Sequence, residues 1–459
     1  MSRANPADPP IGSPLYHASA SDPRLVPETF WHATGGPVPV GVDPLDRDVV
    51  AEVAVIGGGY TGLSAALHLA AEFDVSVRVL EAGPIGWGAS GRNGGFCTLG
   101  GTARDWAALA RRFGREEARA VFEAQRRSVA LVAELARAHR IDPRRCGEGE
   151  YVVAHKPSRL EGLAREAEFV ADLTGERWPV LSREALAERG IALEEAHGAL
   201  HVPHAFGLHP LRYLRGLCRA AVERGARVHE RTPVLAWSRA DGVHRLETPG
   251  GTVRAAHVLL ATNAWTPERL RPELHGRILP VLSAILVTRP LTPGEREAQG
   301  WTAPALVADT RELLFYIRLL DDGRILFGAR GGTRADGTAF RQRMAWLARR
   351  FAERFPALAH VRPEYGWWGF VAFARDRLPH LVRLEGLPRT VAALAYHGSG
   401  VAMASWLGRR AAEVVLGRTP DEPVPECFRR PLRRFPLPGL RLPALRVAMA
   451  LAAARDAWW

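Results

Sequence analysis

The chain of 459 residues is 47% hydrophobic and 24% charged, with a formal net charge of +12. That length allows two to four domains of roughly 100–200 residues, and the composition excludes a disordered, collagenous or coiled-coil chain. No apolar run approaches the ~20 residues of a membrane helix, and the polar, proline-rich start lacks the basic head and apolar stretch of a secretory signal.

All of the 61 basic residues except Lys156 are arginine. They are interleaved with acids, as in Arg115-Glu116-Glu117-Ala118-Arg119. The charge is therefore expected to be solvated surface, with no nucleic-acid partner. The cysteines Cys97, Cys146, Cys218 and Cys427 form no C-x-x-C pair. Neither a disulfide framework nor a metal site is expected, and a reducing, cytoplasmic location fits.

In chain order, residues 1–44 form an extended leader rich in proline. An apolar strand at Val53 to Ile56 precedes a glycine turn, a helix through Leu63, Ala66, Leu67 and Ala70, and a second strand from Val75 to Leu80. This is a β-α-β unit of the size a parallel sheet with a crossover helix requires. A glycine-dense loop runs from Gly83 to Gly101. Thr102 and Asp105 then form a capping pair for the next helix. A long helix covers roughly 115–139. His209 precedes a helix that starts with Pro210. A buried strand at His257 to Thr262 and a long one from Ile278 to Thr288 follow. Leu313 to Arg330 reads as a hairpin about Asp322-Gly323. With a two-residue turn, Arg318 pairs with Phe327. Tyr316, Arg318 and Leu320 then share a face with Ile325, Phe327 and Ala329, while Leu326 and Arg330 lie on the other face. His397-Gly398-Ser399-Gly400 opens a helix to Leu416, and residues 419–459 are a tail ending in an alanine-rich helix.

The strongest chemical signal is Gly57-x-Gly59-x-x-Gly62, which follows an apolar strand and opens a helix. Gly57 permits the tight turn, Gly59 lets the backbone approach a pyrophosphate, and Gly62 packs helix on strand. The free N–H groups at the helix start favour phosphate. Glu81 ends the second strand, where its carboxylate can accept from ribose hydroxyls. The phrase Gly88-Ala89-Ser90-Gly91-Arg92-Asn93-Gly94-Gly95 adds backbone that can run close to a flat or charged group.

These residues resemble the D-amino-acid oxidase superfamily of flavin amine oxidoreductases, with the closest likeness to the glycine oxidase and γ-glutamylputrescine oxidase branches. The likeness continues at Leu208-His209-Pro210, Ala261-Thr262-Asn263-Ala264, Arg375-Asp376-Arg377-Leu378-Pro379 and Tyr396-His397-Gly398-Ser399-Gly400-Val401-Ala402. It implies a mixed α/β fold: a Rossmann-like FAD-binding domain with an interleaved substrate domain on a large, mostly antiparallel sheet. The FAD domain is expected over 45–110, 208–270 and 376–418, and the substrate domain over 111–207 and 271–375.

By resemblance, FAD is held by Gly57, Gly59, Tyr60, Thr61 and Gly62, with Glu81 on the ribose. Ala89, Ser90, Asn93, Gly94 and Gly95 lie along phosphate and flavin, and Val234 meets the adenine. Ala261, Thr262, Gly398, Ser399, Gly400 and Val401 complete the set. The segment Gly366-Trp367-Trp368-Gly369 lacks the cysteine that attaches flavin in covalent members, so noncovalent FAD is implied. Ser399 stands where members often have histidine. Ala402 stands where sarcosine-type members place a lysine for the substrate carboxylate. The lysine those members use with oxygen is also missing, its region reading Ile325-Leu326-Phe327.

The implied reaction is hydride transfer from an amine or amino acid to flavin. The imine is then hydrolysed, and the electrons pass to O2, giving H2O2. Alternatives are a dehydrogenase serving an electron carrier and a non-enzymatic, flavin-retaining partner- or RNA-binding protein. Tyr316 and Arg318 are expected to contact substrate, Arg318 through a carboxylate. His209 and His397 are expected to accept or relay the amine proton. Oligomeric state is left open.

Overall fold

The structure is a computed structural model, and it describes residues 15–100 and 105–458. Two eight-stranded sheets organise the described chain. In the first, Val49–Ile56 lies parallel between Val77–Leu80 and Gly251–Leu260. Arg227–His229 extends the sheet beyond Val77–Leu80, and Thr390–Leu394 extends it beyond Gly251–Leu260, both in parallel. His380–Arg383 closes that edge antiparallel. Val53, Ala54, Val55 and Ile56 are all buried, as a parallel strand covered on both faces demands.

The helices Tyr60–Phe73 and Gly400–Val415 pack together on this sheet. Two glycines permit the approach. A Cβ on Gly62 would lie 1.9 Å from the Gly57 carbonyl, and one on Gly408 would lie 2.5 Å from the Thr61 carbonyl. The second strand begins at Val77, two residues later than its apolar text suggests. Asp74 turns left-handed there, and the Val75 N–H still donates to Leu69 O of the helix.

The second sheet runs Pro363–Phe373, Leu279–Thr288, Ile325–Arg330, Phe315–Leu319, Leu306–Asp309, Glu150–Val153, Ala199–Val202, Val180–Leu181. It is antiparallel except where Leu306–Asp309 meets Glu150–Val153. One face is covered by the helix Gly337–Arg354, whose Phe351 meets Phe327 beneath the stacked Phe315–Phe327 pair.

The hairpin differs from the two-residue reading. Ile317 pairs with Phe327, and Arg318 with Leu326. Gly323 alone takes a positive φ (83°), its N–H donates to Leu320 O, and Leu320 N–H donates to Arg324 O. This is a three-residue loop with the left-handed residue at its end. A primed two-residue turn would need Asp322 left-handed as well. One residue of slip exchanges the faces of the returning strand. Tyr316 and Arg318 therefore share their face with Leu326, Gly328 and Arg330. Ile325, Phe327 and Ala329 go to the helix-covered side.

The leader is not uniformly extended. Thr29 caps a short helix, Phe30–Thr34, which buries Phe30 and Trp31. The Trp31 Nε1–H donates to Asn93 O at 2.8 Å. Asp105 caps Trp106–Phe113 through Ala108 N–H, while the other half of the expected capping pair, Thr102, lies outside the described residues. No helix among the described residues is long and apolar enough to cross a membrane.

Candidate active site

A cavity of about 1660 Å³ opens between the two sheets. That exceeds the ~300–1,000 Å³ of a typical small-ligand pocket. Two helix N-termini reach it: Tyr60–Phe73, with Gly59 as its cap residue, and Gly400–Val415, with Ser399. Neither has a side-chain cap. Apart from Tyr60 N–H, which donates to Ser90 Oγ, their first-turn N–H groups therefore lack the side-chain acceptor a cap residue supplies. Gly57 (φ 109°) and Gly398 (φ 114°) make the turns that bring the backbone in, and a side chain at either would be strained.

Glu81 directly follows the strand Val77–Leu80 at the cavity and accepts from Gly58 N–H at 2.7 Å and Gly83 N–H at 2.9 Å. Burial raises its pKa against the pull of the Gly83 and Gly58 N–H groups. Each carboxylate oxygen keeps a lone pair for a further donor. In the next loop, Ser90 Oγ accepts from Tyr60 N–H at 3.1 Å. Asn93 pins the loop from within: Nδ2 donates to Ala89 O and Ser90 O, and Oδ1 accepts from Gly95 N–H.

The second sheet supplies the opposite wall. Tyr316 and Ser283 share a hydrogen bond of 2.9 Å between hydroxyls, and burial pushes the phenol up to about 12. The Tyr316 ring lies 3.0 Å from where a Gly94 Cβ would stand. The Arg330 guanidinium sits over Phe373, and its Nη2 lies 3.3 Å from where a Gly398 Cβ would stand. One phenol and one guanidinium thus reach the Gly94 loop and the Gly398 turn from the facing sheet.

The family model described as DAO, FAD dependent oxidoreductase, matches residues 52–414. The chain belongs to this family. It is 32% identical over 375 residues to the probable oxidoreductase OrdL of Rhizobium meliloti (strain 1021), spanning 81% of this chain and 84% of the relative. It is 31% identical over 422 residues to the gamma-glutamylputrescine oxidoreductase of Escherichia coli (strain K12), spanning 90% and 95%. The crystal structure of glycine oxidase from Geobacillus kaustophilus superposes with a TM-score of 0.68 at 24% identity over 84% of this chain and 99% of that one, a likeness of fold.

The cavity fits the FAD of this family. Two uncapped helix starts suit its anionic groups, and a terminal carboxylate suits a ribose. Of the residues the sequence assigns to FAD, all but Gly62 and Gly95 line the cavity. Gly62 packs on Gly57. A Cβ on Gly95 would lie 2.1 Å from Leu208 O, so Gly95 serves a backbone crossing behind the cavity. None of the four cysteines, all free thiols, lines the cavity.

The expected catalytic residues fare unevenly. Tyr316 and His397 line the cavity; Arg318 and His209 do not. Arg318 is 2% exposed, and its Nη1 donates to Gly94 O (3.0 Å), Gly95 O (2.9 Å) and Leu208 O (2.8 Å). Its Nη2 reaches Cys146 Sγ. It braces the glycine loop rather than meeting a substrate. His209 is the cap of Pro210–Glu223: Nδ1 accepts from Arg212 N–H, and Nε2 meets Thr34 Oγ1 at 3.0 Å. His397 Nε2 accepts from Ala374 N–H at 3.2 Å, so its proton sits on Nδ1 and its acceptor nitrogen is already used. Burial pushes both imidazoles down to about 3, which leaves them neutral at working pH. Sequence reasoning missed Arg330 as a cavity residue, because the assumed hairpin register turned it to the far face.

Buried neutral histidines set an acid limit on stability. Burial holds His68, His155, His209 and His397 near 3, whereas an unfolded histidine titrates near 6.5. Between those values the unfolded chain binds more protons. Stability from these groups is therefore complete above about 6.5 and falls as pH drops towards 3. The urea midpoint is expected to be lower at pH 5 than at pH 7.5. A midpoint that rises on acidification would contradict this burial.

Proposed function

We propose that the protein oxidises a carboxylate-bearing amine or amino acid at its C–N bond. Arg330 pairs with the substrate carboxylate and the Tyr316 hydroxyl orients the polar end. The observation that carries this reading is that Arg330 and Tyr316 face the Gly398 turn and the Gly94 loop across one cavity. The gamma-glutamylputrescine oxidoreductase and glycine oxidase relatives support the substrate class.

FAD, when bound, supplies the two-electron acceptor that takes the hydride. The chain's own residues bind, align and exclude water. The reacting amine is the free base, since its lone pair must form the C=N bond; His397, whose acceptor nitrogen is used, and His209, which lies outside the cavity, are not placed to take its proton. As the C–H hydride leaves, the nitrogen lone pair forms C=N. Water then adds to the imine and releases a carbonyl compound and an amine or ammonia. With FAD bound, the two electrons would pass on to O2 together with two protons, giving H2O2. The one lysine, Lys156, is not among the residues that line the cavity; its Nζ donates to Arg455 O.

An anaerobic visible spectrum tests the reading while amino acids and ω-amino carboxylates are added to the FAD-loaded protein. Bleaching by a carboxylate-bearing amine is expected, with return of colour and peroxide release in air. No bleaching by any amine would overturn the substrate class. Bleaching without peroxide would assign the electrons to a carrier instead.

A further inference from the structure

We infer that the C-terminal helix, Arg441–Trp458, is a wall of the substrate chamber and selects amines that carry an extended hydrocarbon portion. The inference rests on the amine-oxidising reading for the direction in which substrate lies. This helix falls outside residues 52–414, so the shared family region does not supply it. Its inward residues Ala444, Leu445, Ala448, Met449 and Ala452 all line the cavity. Their spacing of three and four puts them on one helix face.

The helix is fixed at both ends. Arg441 forms a buried two-point pair with Glu268, at 2.8 and 2.9 Å. At the far end the Asp456 carboxylate accepts from Glu312 N–H at 2.9 Å and Leu313 N–H at 3.0 Å. Between these anchors the Met449 methyl lies 2.9 Å from where a Cβ on Gly331 would stand, directly after Arg330. The wall therefore begins at the strand end that carries Arg330. From Ala444 to Ala452 the inward stripe carries no charge and three alanines; the next lining residue, Arg455, is paired with Glu312. The stripe offers apolar surface with room left in front of it. A hydrocarbon chain leading away from the Arg330 end gains by burial there, whereas a second charge would lose its hydration.

Two ligand series test this on the FAD-loaded protein. Straight-chain carboxylates from acetate to octanoate are titrated and followed by the flavin absorbance. n-Alkylamines from methylamine to octylamine are followed by anaerobic bleaching. Affinity or rate is expected to rise roughly fourfold per methylene until the chamber is filled. Ala448→Phe, which fills the space, and Met449→Asp, which charges the wall, are each expected to cut the octanoate-to-acetate preference at least tenfold. Equal chain-length slopes in the wild type and in a variant that retains FAD would overturn the wall. Should neither variant hold FAD, the wild-type slope decides, and its absence overturns the inference. A slope with alkylamines but no spectral response to any carboxylate would refute the Arg330 assignment and leave the wall standing.

Discussion

Replacing Arg330 by alanine is expected to lower kcat/KM for a carboxylate-bearing amine by at least about thirtyfold, which corresponds to about 2 kcal/mol or more of lost charge-assisted binding. The guanidinium is held over Phe373 and beside the Gly398 turn, so a carboxylate meeting it is also held beside that turn. A fork of this kind gives orientation as well as attraction, and lysine would restore only part of it. Arg330→Lys should therefore recover affinity more than turnover. The bound-flavin spectrum should persist in both variants, because the helix-start donors and Glu81 are untouched. An amine without a carboxylate should be nearly indifferent to the change. Equal losses for amines with and without a carboxylate would show that Arg330 acts on the cofactor or on folding.

The contrast between Arg330 and Arg318 shows where the sequence is legible and where it is not. The β-α-β unit, the glycine turn and the position of Glu81 after the second strand are legible because their signal is local: a buried strand, a turn and a helix follow one another within about thirty residues. The placement of Gly398 to Val401 is also readable, since an uncapped helix start after glycines has a physical meaning by itself. The hairpin was identified as an element but not in register. Asp-Gly is compatible with both a two- and a three-residue loop, and one residue decides which side chains face the cavity.

Long-range structure left weaker traces. Nothing around Trp31 says that its indole will meet Asn93, 62 positions later. Trp367 likewise closes on Arg92 O at 2.8 Å, a contact between distant segments. His209 carried an ambiguous signal, because a histidine before a proline-started helix can cap it or serve chemistry, and only the packing of Thr34 and Arg212 separates the two. The tail helix reads as alanine-rich, with no indication of which cavity it faces.

Arg318→Met is expected to do the opposite of Arg330→Ala. It should lower stability by about 2–4 kcal/mol, because the three carbonyls of Gly94, Gly95 and Leu208 lose a buried donor and water cannot replace it. Removing a buried cation offsets part of this, since its desolvation is no longer required. The carbonyls prevail because methionine fills the volume but donates nothing. The loosened segment is the glycine loop pinned by Asn93, so FAD retention should fall with the urea midpoint. The fraction that keeps FAD should show a nearly normal KM, because the side chain never reaches the cavity. Lysine at this position should not rescue, as one ammonium cannot span both the carbonyls and Cys146 Sγ. An unchanged urea midpoint with a raised KM would instead return Arg318 to the substrate and require the hairpin face to turn over in solution. Measuring both arginine variants side by side, for midpoint, flavin content and KM, separates the residue that shapes the glycine loop from the one that meets the substrate.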